Sequence, residues 1–201
     1  MVISAIKQQV NDPNRVSIFM DGKYVCSLTL DQLLAEKLKK GLEVDDAMLA
    51  RYKKLSEEGK VRARTLEWIL SRPHSERELR EYLFRKKVEL DFVNALVGEC
   101  IEKKYLDEVR YAEWSYEKGK RKHKSERILK QELKSQGVTD ETIQNIVTNN
   151  DENLNESKVL KELLNKLRKR SRYADQTRLI RYLLSKGFRY ELIKEALNDG
   201  E

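Results

Sequence analysis

The sequence predicts a mainly α protein: tandem three-helix repeats forming an elongated curved array, with a small N-terminal β-hairpin segment. Three observations predict it. Apolar residues recur at helical spacing almost everywhere after Leu28. Only 2 prolines and 8 glycines punctuate the 201 residues, which favours long helices over many-turned β structure. An apolar framework then returns three times at an interval of 50 residues, the mark of stacked units. Apolar residues make up 39% of the chain and support a core, while the 37% that are charged exceed the usual quarter or so.

The β-like part is confined to residues 2–28. Val2-Ile3-Ser4-Ala5-Ile6, Val16-Ser17-Ile18-Phe19 and Tyr24-Val25-Cys26-Ser27-Leu28 are rich in β-branched and aromatic residues. Asp21-Gly22 separates the last two runs, and both residues tolerate the positive φ of a type I′ hairpin. Asn11 to Asn14, with Pro13, makes the preceding turn. A sheet of three short strands is marginal alone and should pack on a helix. Thr29-Leu30-Asp31 starts one, Leu30, Leu33, Leu34 and Leu38 form its face, and Gly41 ends it. Val44 to Leu55 is a second amphipathic stretch, opened by Asp45-Asp46 and broken at Gly59.

Aligning Ser75, Ser125 and Asp175 as helix N-caps puts three segments in register. Leu79, Leu129 and Leu179 coincide, then Leu83, Leu133 and Leu183, then Val88, Val138 and Phe188. Val93, Ile143 and Ile193 follow, and finally Val97, Val147 and Leu197. Gly137 and Gly187 can take the left-handed conformation that stops a helix, so that Val138 or Phe188 packs back. The first copy has Lys87 there, and its stop is expected to be less sharp. Asp91 and Thr139 offer caps for the helix that follows each stop, and an earlier helix precedes each Ser or Asp cap. Neighbouring units must cover one another's apolar faces. The polar stretch Thr148 to Ser157 reads as a linker. Expected divisions are 1–58 for the β segment with its helices, 59–106, 107–150 and 151–201 for the linker and last repeat.

The net charge of +7 and pI near 9.2 permit a polyanionic partner without requiring one. Cys26 and Cys100, far apart and without CxxC spacing, read as reduced residues. The N-terminus lacks the basic and long apolar regions of a signal peptide. No apolar run nears the roughly 20 residues of a membrane span. A soluble, cytoplasmic protein is expected. His74 and His123 lack carboxylate or Cys partners at ligand spacing, no Gly-rich phosphate loop is present, and Ser75 and Ser125 are better caps than nucleophiles. Neither an enzyme nor a cofactor or metal is indicated.

Three tandem three-helix repeats behind a short β segment resemble the RecX family of bacterial recombination regulators. Arg72-Pro73-His74-Ser75-Glu76-Arg77-Glu78-Leu79 looks like the family's R-P-x-S-x-x-E-L opening. Tyr105-Leu106-Asp107-Glu108-Val109-Arg110-Tyr111-Ala112 resembles its G-x-L-[DN]-[DE]-x-x-[FY]-A signature. Lys130-Gln131-Glu132-Leu133 with Gly137-Val138 resembles the element x-x-E-L-x-x-K-G-[IV]. Departures are Tyr105 before Leu106, and Lys124-Ser125 where the family often has Gly-Pro. The chain also ends at Glu201, short of some Gram-positive relatives, so a further C-terminal repeat is either absent or cut from it. The resemblance implies a non-enzymatic modulator of the RecA recombinase. Such a protein binds the RecA filament on single-stranded DNA, lies in its groove, and restrains strand exchange and co-protease activity.

The residues left for such a function are basic. Lys118, Lys120, Arg121, Lys122 and Lys124 are joined by Arg127 and Lys130 in the second copy. Lys166, Arg168, Lys169, Arg170 and Arg172 recur at the same place in the third. Any one such run is most often a solvated helix end, since cations suit helix C-termini. Its recurrence in a stacked array makes a stripe able to follow a phosphate backbone or an acidic filament groove. Tyr111, Trp114, Tyr116, Tyr173 and Tyr182 lie close by, where core packing explains them better than base stacking. The expected partners are the RecA filament and single-stranded DNA, with duplex DNA a further candidate, bound by a monomer. The rivals are a stand-alone helical DNA-binding module and a helical adaptor with a protein partner alone.

Overall fold

A computed structural model describes residues 1–150 and 156–198. The chain divides into two compact units, Met1–Ser71 and the remainder from Arg72 onward.

In the first unit, β1 (Ile3–Gln8), β2 (Arg15–Met20) and β3 (Lys23–Thr29) form an antiparallel sheet in the order β1-β2-β3. Asp21 and Gly22 close the β2–β3 hairpin with φ of 48° and 79°, the paired positive values a type I′ turn demands. Thr29 caps α1 (Leu30–Ala35) through a capping box with Gln32. Asp45 caps α2 (Asp46–Leu70) by accepting from the Met48 N–H at 2.7 Å. Ile3, Ile18, Leu28 and Tyr52 lie at the centre of this unit's core.

Two expectations fail here for local reasons. The helix begun at Thr29 does not reach Gly41. It stops at Lys37, which takes φ 51°, and the Leu38 N–H returns to the Leu33 carbonyl so that Leu38 can bury its side chain. Gly59 does not break a helix either, because α2 runs straight through it. A Cβ there would lie 3.3 Å from Arg15 Nη1 and 3.5 Å from Gln32 Oε1. The glycine makes room for the buried Arg15 guanidinium, which donates to the Ser27 carbonyl at 3.1 Å and to Ser27 Oγ at 3.0 Å. A helical glycine costs about 1 kcal/mol against alanine, a cost tolerated where a charged group must be admitted.

The second unit is helical throughout its described residues. It contains α3 (Glu76–Arg85) and α4 (Leu90–Glu102), then α5 (Glu108–Arg121), α6 (Glu126–Ser135) and α7 (Asp140–Asn150). After residue 155 come α8 (Glu156–Arg168), a 3-10 turn (Ser171–Tyr173), α9 (Gln176–Ser185) and α10 (Tyr190–Asn198). Of the expected linker Thr148–Ser157, residues 151–155 lie outside the described residues, while its ends complete α7 and open α8.

Ser75, Ser125 and Asp175 cap α3, α6 and α9 from equivalent positions. Leu79, Leu129 and Leu179 are buried, as are Leu83, Leu133 and Leu183. The cores, however, close within repeats rather than across them. Tyr111, Tyr116, Leu129, Leu133, Val138, Ile143 and Val147 form one cluster, and Leu160, Leu164, Leu179, Leu183, Phe188 and Ile193 another. Three helices of 9–14 residues present enough inward positions to bury their own apolar faces.

What joins successive repeats is polar. Arg77 donates to the Ser135 carbonyl at 2.7 Å, and Ser75 Oγ to Gln136 Oε1 at 3.1 Å. Fifty residues later Arg127 donates to the Gly187 carbonyl at 3.3 Å, and the Ser125 N–H to the Lys186 carbonyl at 2.9 Å. The start of one repeat's middle helix thus grips the end of the next repeat's middle helix twice, from the same two donor positions, although Arg127 reaches two residues further along than Arg77 does.

Two helix ends also differ from expectation. Glu89, not Asp91, precedes α4, and it makes no side-chain capping bond; Asp91 lies inside the first turn. The first repeat's stop is as sharp as the others. Lys87 adopts φ 56°, and the Val88 N–H bonds the Leu83 carbonyl at 3.3 Å, as Val138 does to Leu133 at 3.2 Å. Packing of Val88 forces a lysine into the left-handed region. That conformation costs a non-glycine residue about 1–2 kcal/mol, against about 0.4–1 kcal/mol of unfolded-chain entropy that glycine restores. Lys87→Gly should therefore stabilise the protein by about 0.5–1 kcal/mol, read as a higher denaturation midpoint; a loss of stability would show the lysine side chain to be worth more than its strain.

Candidate nucleic-acid interface

The basic run of the second repeat forms the last turn of α5 and its stop. Lys118, Lys120 and Arg121 lie on the helix, Lys122 is its C-cap, and His123 takes φ 52°. Their positive charge faces the unpaired carbonyls of the α5 C-terminus. The matching run of the third repeat places Lys166 and Arg168 in the last turn of α8, and Lys169, Arg170 and Arg172 around the 3-10 turn.

Part of the two runs meets. Lys120, Arg121 and Lys124 share a cleft of about 430 Å³ with Lys166 of α8, across the boundary between the second and third repeats. Lys166 Nζ lies 3.0 Å from His123 Nε2. Burial, and then the charge of Lys166, depress the pKa of His123, so at neutral pH its ring nitrogen is free to accept from the ammonium. Glu117 and Glu162 are the acidic members of the cleft wall. Lys169, Arg170 and Arg172 do not line this cleft; they are exposed beyond it.

The candidates differ in how available they are. Lys120 is half-buried, 3.0 Å from Glu117 and 3.1 Å from Asn150 Oδ1. Lys124 is paired with Glu132, and Lys130 with Glu126. Arg127 is committed to the inter-repeat joint. By contrast Arg121 is exposed, and its bond to the Glu117 carbonyl is a long one of 3.4 Å. Lys122, Lys169 and Arg170 are exposed and have no carboxylate partner among the described residues. Those free cations are the ones that can exchange a counterion for a phosphate without breaking an internal pair.

Lys118 belongs to a second, adjoining feature. Its ammonium lies 4.4 Å from the Trp114 ring centroid, and the Arg72 guanidinium 4.7 Å from the same ring. Burial first, then the charges of Lys122 and Arg72, lower the Lys118 pKa. Arg72 is held by Glu78 through two bonds of 2.9 and 3.0 Å, and Glu78 also meets the buried His74 at 3.0 Å. Burial pushes the Glu78 carboxyl up, but its bonds and charge interactions with Arg72 and His74 outweigh this and hold it below the usual range. Trp114 packs against the second repeat's core, where Tyr111 and Tyr116 are buried, and Tyr173 and Tyr182 pack on the third. The aromatic residues are structural first; Trp114 in addition carries cations on its ring.

Two members of this surface escape a reading of the sequence alone. Lys158 lines the cleft, and its place two helical turns before Lys166 is the signal that both share one face of α8. Arg72 stands in the sequence only as part of a motif, and nothing in local spacing brings it to Trp114. Among the described residues no group of three or more His, Cys, Asp or Glu is placed to hold a metal, and no helix is long and apolar enough to cross a membrane.

Comparison with known proteins agrees with this architecture. Residues 1–45 match the model of the regulatory protein RecX N-terminal domain, and residues 157–197 that of the third three-helix domain of RecX. Regulatory protein RecX of Bacillus pumilus (strain SAFR-032) is 30% identical, over 98% of this chain and 76% of its own length. That of Bacillus subtilis (strain 168) is 28% identical, over 99% and 77%. A crystal structure of regulatory protein RecX superposes with a TM-score of 0.68 at 24% identity, covering 96% of this chain and 98% of the other. RecX from Lactobacillus salivarius gives a TM-score of 0.51 at 18% identity, covering 71% and 95%. The two structural likenesses bear on the fold.

Proposed function

The chain belongs to the RecX family of regulatory proteins, and from that premise we propose that it binds RecA–single-stranded-DNA filaments and modulates, mostly by inhibition, their recombinase and co-protease activities. It does so as a non-enzymatic, cytoplasmic monomer in DNA repair and the SOS response. The family is a regulatory one rather than a recognised class of enzyme.

The observation that carries the reading is the meeting of Lys120, Arg121 and Lys124 with Lys166 in one cleft, from runs that occupy equivalent places in two repeats. A wall of cations on rigid helix ends supplies phosphate contacts that position a nucleic acid without reading its sequence. That suits a filament whose DNA sequence varies along its length. Rigid repeats fix the spacing of the cations, so ordering cost on binding is small. Occupation of the filament groove excludes an incoming duplex and a co-protease substrate alike.

The test is a RecA strand-exchange and DNA-dependent ATPase assay with and without this protein. The expected result is a concentration-dependent slowing of strand exchange, with binding to filament tighter than to naked DNA. Equal affinity for filament and naked single strands, with no effect on exchange, would favour the simple DNA-binding module instead.

A further inference from the structure

We propose that the groove between α3 and α4 in the first repeat is a protein-docking surface, which takes an acidic segment of the recombinase anchored by bulky apolar side chains. The proposal rests on the filament reading above and adds to it a second, non-electrostatic contact.

The repeat register exposes the feature. In the second repeat the groove between α6 and α7 is lined by polar side chains apart from Ile143, and its rim is closed by Lys134 Nζ bonding the Asp140 carboxylate at 2.9 and 3.0 Å. Fifty residues earlier the same two positions are Phe84 and Leu90, which are 81% and 70% exposed. The third repeat has Leu184 and Tyr190 there, less exposed at 42% and 52%. One fold position thus holds an ion pair in one repeat and an unprotected phenyl and isobutyl group in another. The fold does not require apolar side chains at these sites, since the second repeat forms without them. An exposed apolar pair that folding does not explain is the signature of a surface meant for a partner.

The groove has room and a floor. It encloses about 650 Å³ between Phe84, Leu90, Val88 and Val93, with Arg80 and Arg85 at its edge. Val93 is buried and Val88 half-buried, so the floor is firm. The edge selects charge. Arg80 is bonded to Glu76 at 2.7 Å and to Asn94 at 2.9 Å, and the Glu81 carboxylate is taken by Arg77 at 2.9 Å. Arg85 and Lys87 are exposed and have no carboxylate partner among the described residues. Asp91, exposed beside Leu90, offsets part of this charge, so Arg85 and Lys87 leave the surroundings of the groove positive on balance. An apolar-anchored segment flanked by Asp or Glu satisfies both the floor and the rim, as an amphipathic helix laid in a groove does. Phosphate groups satisfy only the rim and leave Phe84 and Leu90 in water.

The second repeat supplies the test variant. Phe84→Lys with Leu90→Asp installs the second repeat's own ion pair, leaves net charge unchanged and alters only exposed positions. The full chain and this double variant are compared for binding to RecA filaments on poly(dT), for binding to poly(dT) alone, and for sedimentation at rising concentration. The proposal expects a fall of at least about tenfold in filament affinity, the loss of a small hot-spot pair, with poly(dT) affinity held within about twofold and the thermal midpoint unchanged. Unchanged filament affinity overturns the groove proposal and leaves the filament reading standing. An equal fall in poly(dT) affinity overturns it in favour of base stacking on Phe84. Loss of a dimer formed by the unaltered chain overturns it in favour of a second copy as occupant. If the unaltered chain does not bind filament at all, the functional reading fails and the groove proposal with it.

Discussion

Gly187→Ala should destabilise the protein by about 2–5 kcal/mol, and Gly137→Ala by only about 1–2 kcal/mol. Both glycines sit at the same place in their repeats, with φ of 92° and 85°, so both alanines incur the left-handed cost of about 1–2 kcal/mol. They differ in what a Cβ would meet. At Gly137 nothing lies within 4 Å, whereas at Gly187 the new atom would collide with Ser125 Oγ and the Ile128 side chain. Those belong to the preceding repeat, whose Ser125 N–H bonds the Lys186 carbonyl and whose Arg127 reaches the Gly187 carbonyl. Forcing one extra carbon into a filled joint adds about 1–3 kcal/mol. Denaturant midpoints of the two variants measure the difference directly. Equal destabilisation would show that the second joint has slack to admit a methyl group. Ser125 is also the N-cap of α6, so displacing it would loosen that helix's first turn, and a broadened transition should accompany the lower midpoint.

That contrast marks the boundary of what the sequence can disclose. The periodicity of Leu79, Leu129 and Leu179 and the caps Ser75, Ser125 and Asp175 are local signals, because helix faces and N-caps are decided within one or two turns. They appear where expected. Helix stops are harder to read. Lys37 and Lys87 enter the left-handed region because Leu38 and Val88 must turn back onto their helices, and that demand is tertiary. A glycine suggests a stop but does not prove one, as Gly59 shows by lying inside α2 to admit Arg15. The joints between repeats are invisible for a related reason. Three of their four bonds end on backbone carbonyls about 60 residues away, such as that of Arg77 to Ser135, and carbonyls carry no residue signature. The basic runs are legible as charge, but which cations are free depends on partners such as Glu132 for Lys124 and Asn150 for Lys120.

Exposed cations without a carboxylate partner among the described residues set the second large effect. Replacing Arg121, Lys122, Lys166 and Arg170 together with Glu should weaken binding to single-stranded DNA on the order of a hundredfold or more at low salt. It should also flatten the dependence of log affinity on log salt by roughly 3 units, since each phosphate of a single strand that goes without its cation takes about 0.7 from the slope. All four residues are exposed, so the thermal midpoint should fall only by the favourable charge lost at the α5 C-terminus, about 0.3–1 kcal/mol for each of Arg121 and Lys122. A matched variant tests whether geometry matters beyond net charge. Lys124→Gln with Lys130→Gln removes two positive charges that are already spoken for by Glu132 and Glu126. Each internal pair is surface-exposed enough to be worth only about 0–1 kcal/mol, so the fold survives while two carboxylates are released near the cleft. Their release offsets little of the field from Arg121, Lys122 and Lys166, and the salt slope should change by less than about 1 unit. Equal slopes for the two variants, scaled to the charge removed, would mean that DNA senses only the overall excess of +7 and not the cleft. A slope that collapses only in the first variant assigns the phosphate binding to the exposed cations of the two basic runs, Arg121 and Lys166 in the cleft between the second and third repeats and Lys122 and Arg170 outside it.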